Sequence, residues 1–133
     1  MNGFVGSKRR LPGRLSLVVE GCDPRGNQEQ IGTRFVFPFG NGSDSKDDEV
    51  IISIGRSRTN FIQLTELTVS KLHAQIKIVG ETVTMSDLGS KHGSYLNEVA
   101  LEPNREYTLR SGDAVCFGRL KLRSTFLEDE DYL

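Results

Sequence analysis

Ala74-Gln75-Ile76-Lys77-Ile78-Val79-Gly80-Glu81-Thr82-Val83-Thr84-Met85-Ser86 is the stretch that decides the fold class. Apolar and polar residues alternate on both sides of a short Gly80-Glu81 link. Successive side chains of a strand point to opposite faces, so each half has one face for a core and one for water. Two such runs across a short glycine turn form a hairpin. Strands are therefore expected at Ala74–Val79 and Thr82–Ser86.

The same pattern recurs in both directions along the chain. Towards the N-terminus, strands are expected at Leu15–Val19, Thr33–Phe37, Val50–Ile54 and Phe61–Leu64, with breaks at Gly21, Asp23-Pro24 and Pro38. Towards the C-terminus they are expected at Ser94–Leu96, Val99–Leu101, Glu106–Leu109, Ala114–Phe117 and Leu120–Phe126. No segment shows helical periodicity. Eleven short strands separated by turn residues predict an all-β fold, an antiparallel β-sandwich. Such a fold has no deep central cleft, so its chemistry is expected on recognition loops gathered at one end.

With 133 residues the chain fits one domain, and 36% hydrophobic with 26% charged residues is ordinary for a globular protein. Residues 1–14 read as a basic tail containing Lys8-Arg9-Arg10 and Arg14, and 15–127 as the folded domain. Within that domain 40–49 reads as an acidic loop insertion, and 128–133 reads as an acidic C-terminal tail. Ser43 and Ser45 stand among acids and are candidate phosphorylation sites, with a plain solvated loop as the blander reading. Cys22, expected in a turn, and Cys116, expected buried in a strand, form no C-x-x-C pair, so neither zinc nor a disulfide framework is expected. No apolar run approaches the roughly 18 residues of a membrane span, and no secretory h-region is present. A net charge of −1 argues against general nucleic-acid binding.

Three loops carry polar residues beyond ordinary turn fillers. In Gly55-Arg56-Ser57-Arg58, glycine allows an unusual backbone angle, and Arg56 is projected from a strand end, which suits bidentate anion recognition. In Thr68-Val69-Ser70-Lys71-Leu72-His73, Ser70 offers a hydroxyl and Lys71 an ammonium, while Val69 and Leu72 are expected to face the core. His73 is read as a buried, hydrogen-bonded brace, not a metal ligand or general base. In Asp87-Leu88-Gly89-Ser90-Lys91-His92-Gly93-Ser94-Tyr95-Leu96-Asn97, two glycines allow sharp turns and Ser90, Lys91 and His92 crowd donors at the tip. Asp87 and Asp113 read as turn formers. Each loop alone is unspecific.

Their order is not. Gly55-Arg56, then Ser70-Lys71-Leu72-His73, then Ser90-Lys91-His92-Gly93-Ser94-Tyr95-Leu96-Asn97 resembles the signature of the forkhead-associated (FHA) domain. Gly112-Asp113, Val115 and Phe117-Gly118 resemble its closing strands, and the likeness extends from Leu15 to Leu127. The resemblance implies a receptor for phosphothreonine-containing segments of partner proteins. It implies that Arg56, Ser70, Lys71 and Lys91 meet the phosphate, and that Thr68 meets the residue three places beyond the phosphothreonine. Gly55, His73, Gly93 and Asn97 would support these loops. His92 departs from the family's usual asparagine, whose amide holds the peptide backbone. A variant with His at this place resembles some nuclear RNA-processing members. Ser94 replaces the usual threonine.

No cofactor or metal is expected, and no enzyme: there is no G-x-x-x-x-G-K-[ST], no H-E-x-x-H and no paired carboxylates. The domain could still serve a larger enzyme such as a kinase, or a repair or RNA-processing assembly. The expected partner is a phosphorylated protein, without membrane or nucleic acid, and a monomer is expected. The basic cluster and the resemblance point to an intracellular, nuclear placement. Two other readings stay open: a sandwich that binds proteins through another face, and nucleic-acid binding through the basic loops. The second lacks stacking aromatics, because Phe61 and Tyr95 fit core positions better.

Overall fold

A computed structural model describes residues 13–39 and 48–128. The basic cluster Lys8-Arg9-Arg10, Ser43, Ser45 and residues 129–133 lie outside this range. Eleven strands follow one another along the chain. They are β1 (Arg14–Cys22), β2 (Arg34–Pro38), β3 (Val50–Gly55), β4 (Ile62–Gln63), β5 (Ala74–Val79) and β6 (Thr82–Asp87), then β7 (Ser94–Leu96), β8 (Val99–Ala100), β9 (Tyr107–Thr108), β10 (Ala114–Phe117) and β11 (Leu120–Leu127). Arg14, expected in the tail, thus opens the first strand. Two sheets result, in the orders β2-β1-β11-β10-β7-β8 and β4-β3-β5-β6-β9. Every pairing between these strands is antiparallel except β3 with β4, where Ile54 faces Ile62 in parallel.

The deciding hairpin forms as its alternation requires. Val79 pairs with Thr82 and Ala74 with Asp87, and Gly80 turns the corner at φ 62°. Ile76, Ile78, Val83 and Met85 point inward, where they meet Leu15, Leu17 and Val19 of β1 and Val115, Phe117, Leu120 and Leu122 of β10 and β11 in one core. β1 and β11 lie side by side over their whole length, from Arg14 opposite Leu127 to Cys22 opposite Leu120.

Sheet register places the functional loops. Ile54, Ala74 and Asp87 stand in one row across the small sheet, and Phe117 stands opposite both Ser94 and Leu120 in the large one. The β3–β4, β4–β5, β6–β7 and β10–β11 connections therefore leave the sandwich at the same end.

Several side chains depart from expectation. Leu72 and Phe61, expected in the core, are 54% and 70% exposed, and Tyr95 is half-buried. Phe61 precedes the parallel strand β4, whose two residues send Ile62 inward and leave Phe61 outward. Cys116 is half-buried, since Val115 and Phe117 on either side take the inward face, and Cys22 ends β1 instead of lying in a turn. Both thiols are unpaired, and burial pushes both upward in pKa.

Phe117 is fully buried at the site end of the core, its ring edge-on to His73 with centroids 5.7 Å apart. Phe117→Ala is expected to cost about 3–5 kcal/mol, read as a lower urea midpoint at unchanged slope.

Candidate functional site

Gly55 closes β3 without the unusual backbone angle expected of it. Its φ is not positive, and the constraint is space: a Cβ here would overlap the Lys71 carbonyl oxygen. The close approach lets two loops bind back to back. The Arg56 amide donates to the Ser70 carbonyl at 2.9 Å and the Ser57 amide to the Lys71 carbonyl at 3.2 Å. Asn60 Nδ2 donates to the carbonyls of Ser57 (2.9 Å) and Lys71 (2.7 Å). Arg56 Nε then donates to the Val69 carbonyl at 2.9 Å. This bond fixes the guanidinium plane while leaving both terminal nitrogens available, the part of the fork that grips an anion.

Ser70 is held from both sides. Its amide donates to His73 Nδ1 at 2.9 Å, and its Oγ accepts the Lys91 amide at 3.1 Å. The hydroxyl proton remains to donate. His73 is fully buried, and since Nδ1 accepts, its proton sits on Nε2, which donates to the Gly93 carbonyl at 2.9 Å. One neutral imidazole thus staples the β4–β5 loop to the β6–β7 loop. Burial pushes its pKa below the ordinary 6.5, against the Gly93 carbonyl and Asp87, which favour the charged form.

The β6–β7 loop is built around Asp87, which reading the sequence took for a simple turn former. Its carboxylate is buried and accepts from the amides of Gly89 (2.9 Å) and Ser90 (3.0 Å) and the hydroxyls of Ser90 (2.5 Å) and Ser94 (2.6 Å). Burial pushes this carboxyl up, yet those donors hold it below the usual carboxylate range. Ser90 Oγ also accepts the Gly93 amide, and Gly89 and Gly93 take φ of 80° and 87°, which glycine alone adopts cheaply.

Glu66 plays the same part in the neighbouring loop. It is buried, and its carboxylate accepts the Thr68 amide and hydroxyl and the Asn27 amide. Burial raises its pKa, and those bonds outweigh the rise. Thr68 Oγ1 also accepts the Arg119 amide at 2.9 Å, so its hydroxyl is taken up by the scaffold. Asn97 stands at the far end of β7, bonded to Asp113 and Ala114, and is not joined to the loops around Ser70. The structure therefore gathers Arg56, Ser70, Lys71, Lys91 and His92 at one end, braced by Gly55, His73 and Gly93. Lys71, Lys91 and His92 are exposed and Arg56 half-buried. Among the described residues no carboxylate pairs with Arg56, Lys71 or Lys91.

A sequence profile described as the FHA domain matches residues 52–118, half of the chain. The chain belongs to the FHA domain family. It is 32% identical over 111 residues to the glycogen accumulation regulator GarA of Mycobacterium tuberculosis, covering 84% of this chain and 57% of that protein. It is 32% identical over 75 residues to the oxoglutarate dehydrogenase inhibitor of Corynebacterium jeikeium, covering 56% of this chain and 50% of that protein. The chain thus spans little more than half the length of these relatives. Among solved structures, the FHA domain of an Arabidopsis thaliana hypothetical protein superposes with a TM-score of 0.70 at 25% identity, covering 90% of this chain and 89% of that one. The FHA domain of MEK1, solved with the HOP1 pThr318 peptide, shares the fold at 16% identity and a TM-score of 0.58, covering 86% and 97%. Relatives aligning over 84% and 90% of the chain are mycobacterial regulators, from cells without a nucleus. That overturns the nuclear placement, and with it the link to nuclear RNA processing and repair.

A histidine whose folded pKa lies below its unfolded value binds more protons when unfolded. Stability is therefore expected to be full above about pH 6.5 and to fall as pH drops towards the folded His73 value. The shielded carboxylates Asp87 and Glu66 add a further loss below about pH 4.5. Urea titrations across this range are expected to show the upper step in the wild type and not in His73→Gln.

Proposed function

We propose that this FHA domain is a phosphothreonine-dependent protein-binding module that controls partners by holding them. One observation carries the reading: Arg56, Ser70, Lys71 and Lys91 converge from three interlocked loops, and no acid among the described residues answers their charge. A phosphothreonine brings about −1.5 to −2 charges and three acceptor oxygens. In this reading the Arg56 terminal nitrogens take two oxygens, the Ser70 hydroxyl donates to another, and the two lysines lie over the rim. Ser70 is the central donor because the Lys91 amide and the Arg56 amide fix it from either side.

His92 lies exposed beside Lys91 and takes the place of the usual asparagine. A neutral imidazole offers one donor and one acceptor on separate ring nitrogens, so it holds the peptide backbone with fewer contacts than an amide. Binding is accordingly phosphate-weighted, with a modest backbone contribution. The regulator and inhibitor among the relatives support action by binding rather than by catalysis.

Calorimetric titration with a degenerate phosphothreonine peptide pool tests this. Saturable binding is expected, absent for the unphosphorylated pool and weaker for phosphoserine. Arg56→Ala is expected to weaken it by about 1.5–3 kcal/mol, roughly ten- to a hundredfold, and rising salt to weaken the wild type progressively. A folded wild type that binds no phosphopeptide would sink the reading.

A further inference from the structure

Of the two histidines in the chain, His73 is buried behind the recognition loops and His92 is exposed at the tip of one of them. That tip is a closed crest: the Gly93 amide donates to Ser90 Oγ, with Lys91 and His92 between them. Neighbouring loops hold the crest on both sides. The Lys91 amide donates to Ser70 Oγ, so His92 is one residue from a bond to the hydroxyl that meets the phosphate in the reading above. On its other side the Gly93 carbonyl accepts His73 Nε2 at 2.9 Å and the Gly118 amide at 3.1 Å.

The charges on these elements are mostly positive. Lys91 is on the crest itself, Lys71 follows Ser70, and Arg119 follows Gly118. Arg56 and Arg58 belong to the loop that binds the Ser70 carbonyl. Tyr95, whose ring lies beside Gly93, adds only a phenol. The acids, Asp87 and Glu66, are buried and accept from donors of their own loops. Among the described residues no carboxylate pairs with His92. A proton on its ring thus has no counter-charge in the free protein, and a docked phosphate dianion supplies one.

We propose that His92 makes this site proton-linked: its imidazole takes a proton from solvent as the phosphate docks, so affinity rises as the medium becomes more acidic. The proposal rests on the phosphothreonine reading above. Imidazole changes charge between about pH 5 and 8, a range in which lysine and arginine do not titrate. As imidazolium, both of its ring nitrogens donate. His73 is kept out of the exchange, because both of its nitrogens are engaged and a charge on His92 acts against one on His73. A proton taken up at the tip therefore leaves the brace neutral. Binding that takes up a proton strengthens as pH falls. Below about pH 6 the phosphate itself becomes a monoanion, and the gain reverses.

Calorimetry with the full chain and a single histidine-free phosphothreonine peptide, selected from the degenerate pool, tests this at constant ionic strength. Between about pH 8 and 6.5 the wild type is expected to tighten by about three- to tenfold. It should also take up a fraction of a proton, read from buffers of different ionisation enthalpy. His92→Asn and His92→Gln put an amide that does not titrate in the same place, and are expected to show neither effect. Proton NMR gives a second reading, since only two imidazoles contribute. The His92 ring signals, identified by their loss in His92→Gln, should titrate at higher pH when the peptide is bound. No proton uptake in the wild type, or an uptake kept by both variants, overturns the proposal while the phosphothreonine reading stands. A His92 signal whose titration the peptide leaves unmoved also overturns it, even where neither variant binds. A pool with no binding member removes the phosphothreonine reading, and this one with it.

Discussion

One buried imidazole holds the functional end of this sandwich together. His73 accepts the Ser70 amide through Nδ1 and donates to the Gly93 carbonyl through Nε2. Both ring nitrogens are satisfied, which is what makes an uncharged histidine tolerable in an apolar interior. Because Ser70 is fixed by this staple, its carbonyl is correctly placed for the Arg56 amide and its oxygen for the Lys91 amide. Remove the imidazole and each loop loses the neighbour that orients it. Ser70 and the Arg56 guanidinium are thus held by the protein's own bonds, and in the proposed phosphothreonine reading this lowers the ordering cost of binding.

Charge is divided by task. The chain is nearly neutral overall, yet its recognition end is cationic, because the acids there have been turned inward. Asp87 and Glu66 are buried and spend their lone pairs on amides and hydroxyls of their own loops. Carboxylates that shape the loops in this way are withdrawn from the surface, where they would have competed for the bases. Composition alone does not reveal such a division, since it counts charges without saying which of them face water.

Most of the fold was legible because its strands alternate cleanly. The β5–β6 hairpin follows from residue order alone. His73 was legible as a brace because no ligating or catalytic companion accompanies it. Its two partners were not, being set by register between strands far apart in sequence. Gly55 was legible as a required glycine for the wrong cause: the crowding comes from a carbonyl sixteen residues on, not from its own dihedral. Asp87 looked like any aspartate beside a turn glycine, and only the folded loop brings Ser94 back to it. Phe61 and Leu72 were misplaced because hydrophobicity was taken as direction. The parallel entry of β4, only two residues long, gives alternation too little length to settle which way a side chain points.

The pairing of β1 with β11 joins the two ends of the described chain, Arg14 lying opposite Leu127. The middle of the larger sheet is therefore assembled from two segments that leave a ribosome more than a hundred residues apart, Arg14 facing Leu127. Until β11 is made, β1 has only β2 on one side and an open edge on the other. The nascent domain must wait for β11 before its core can close, and the loop entropy of that late encounter slows its folding. During the wait the unpaired edge of β1, with Leu15, Leu17 and Val19 beside it, is the part most in need of protection from other chains.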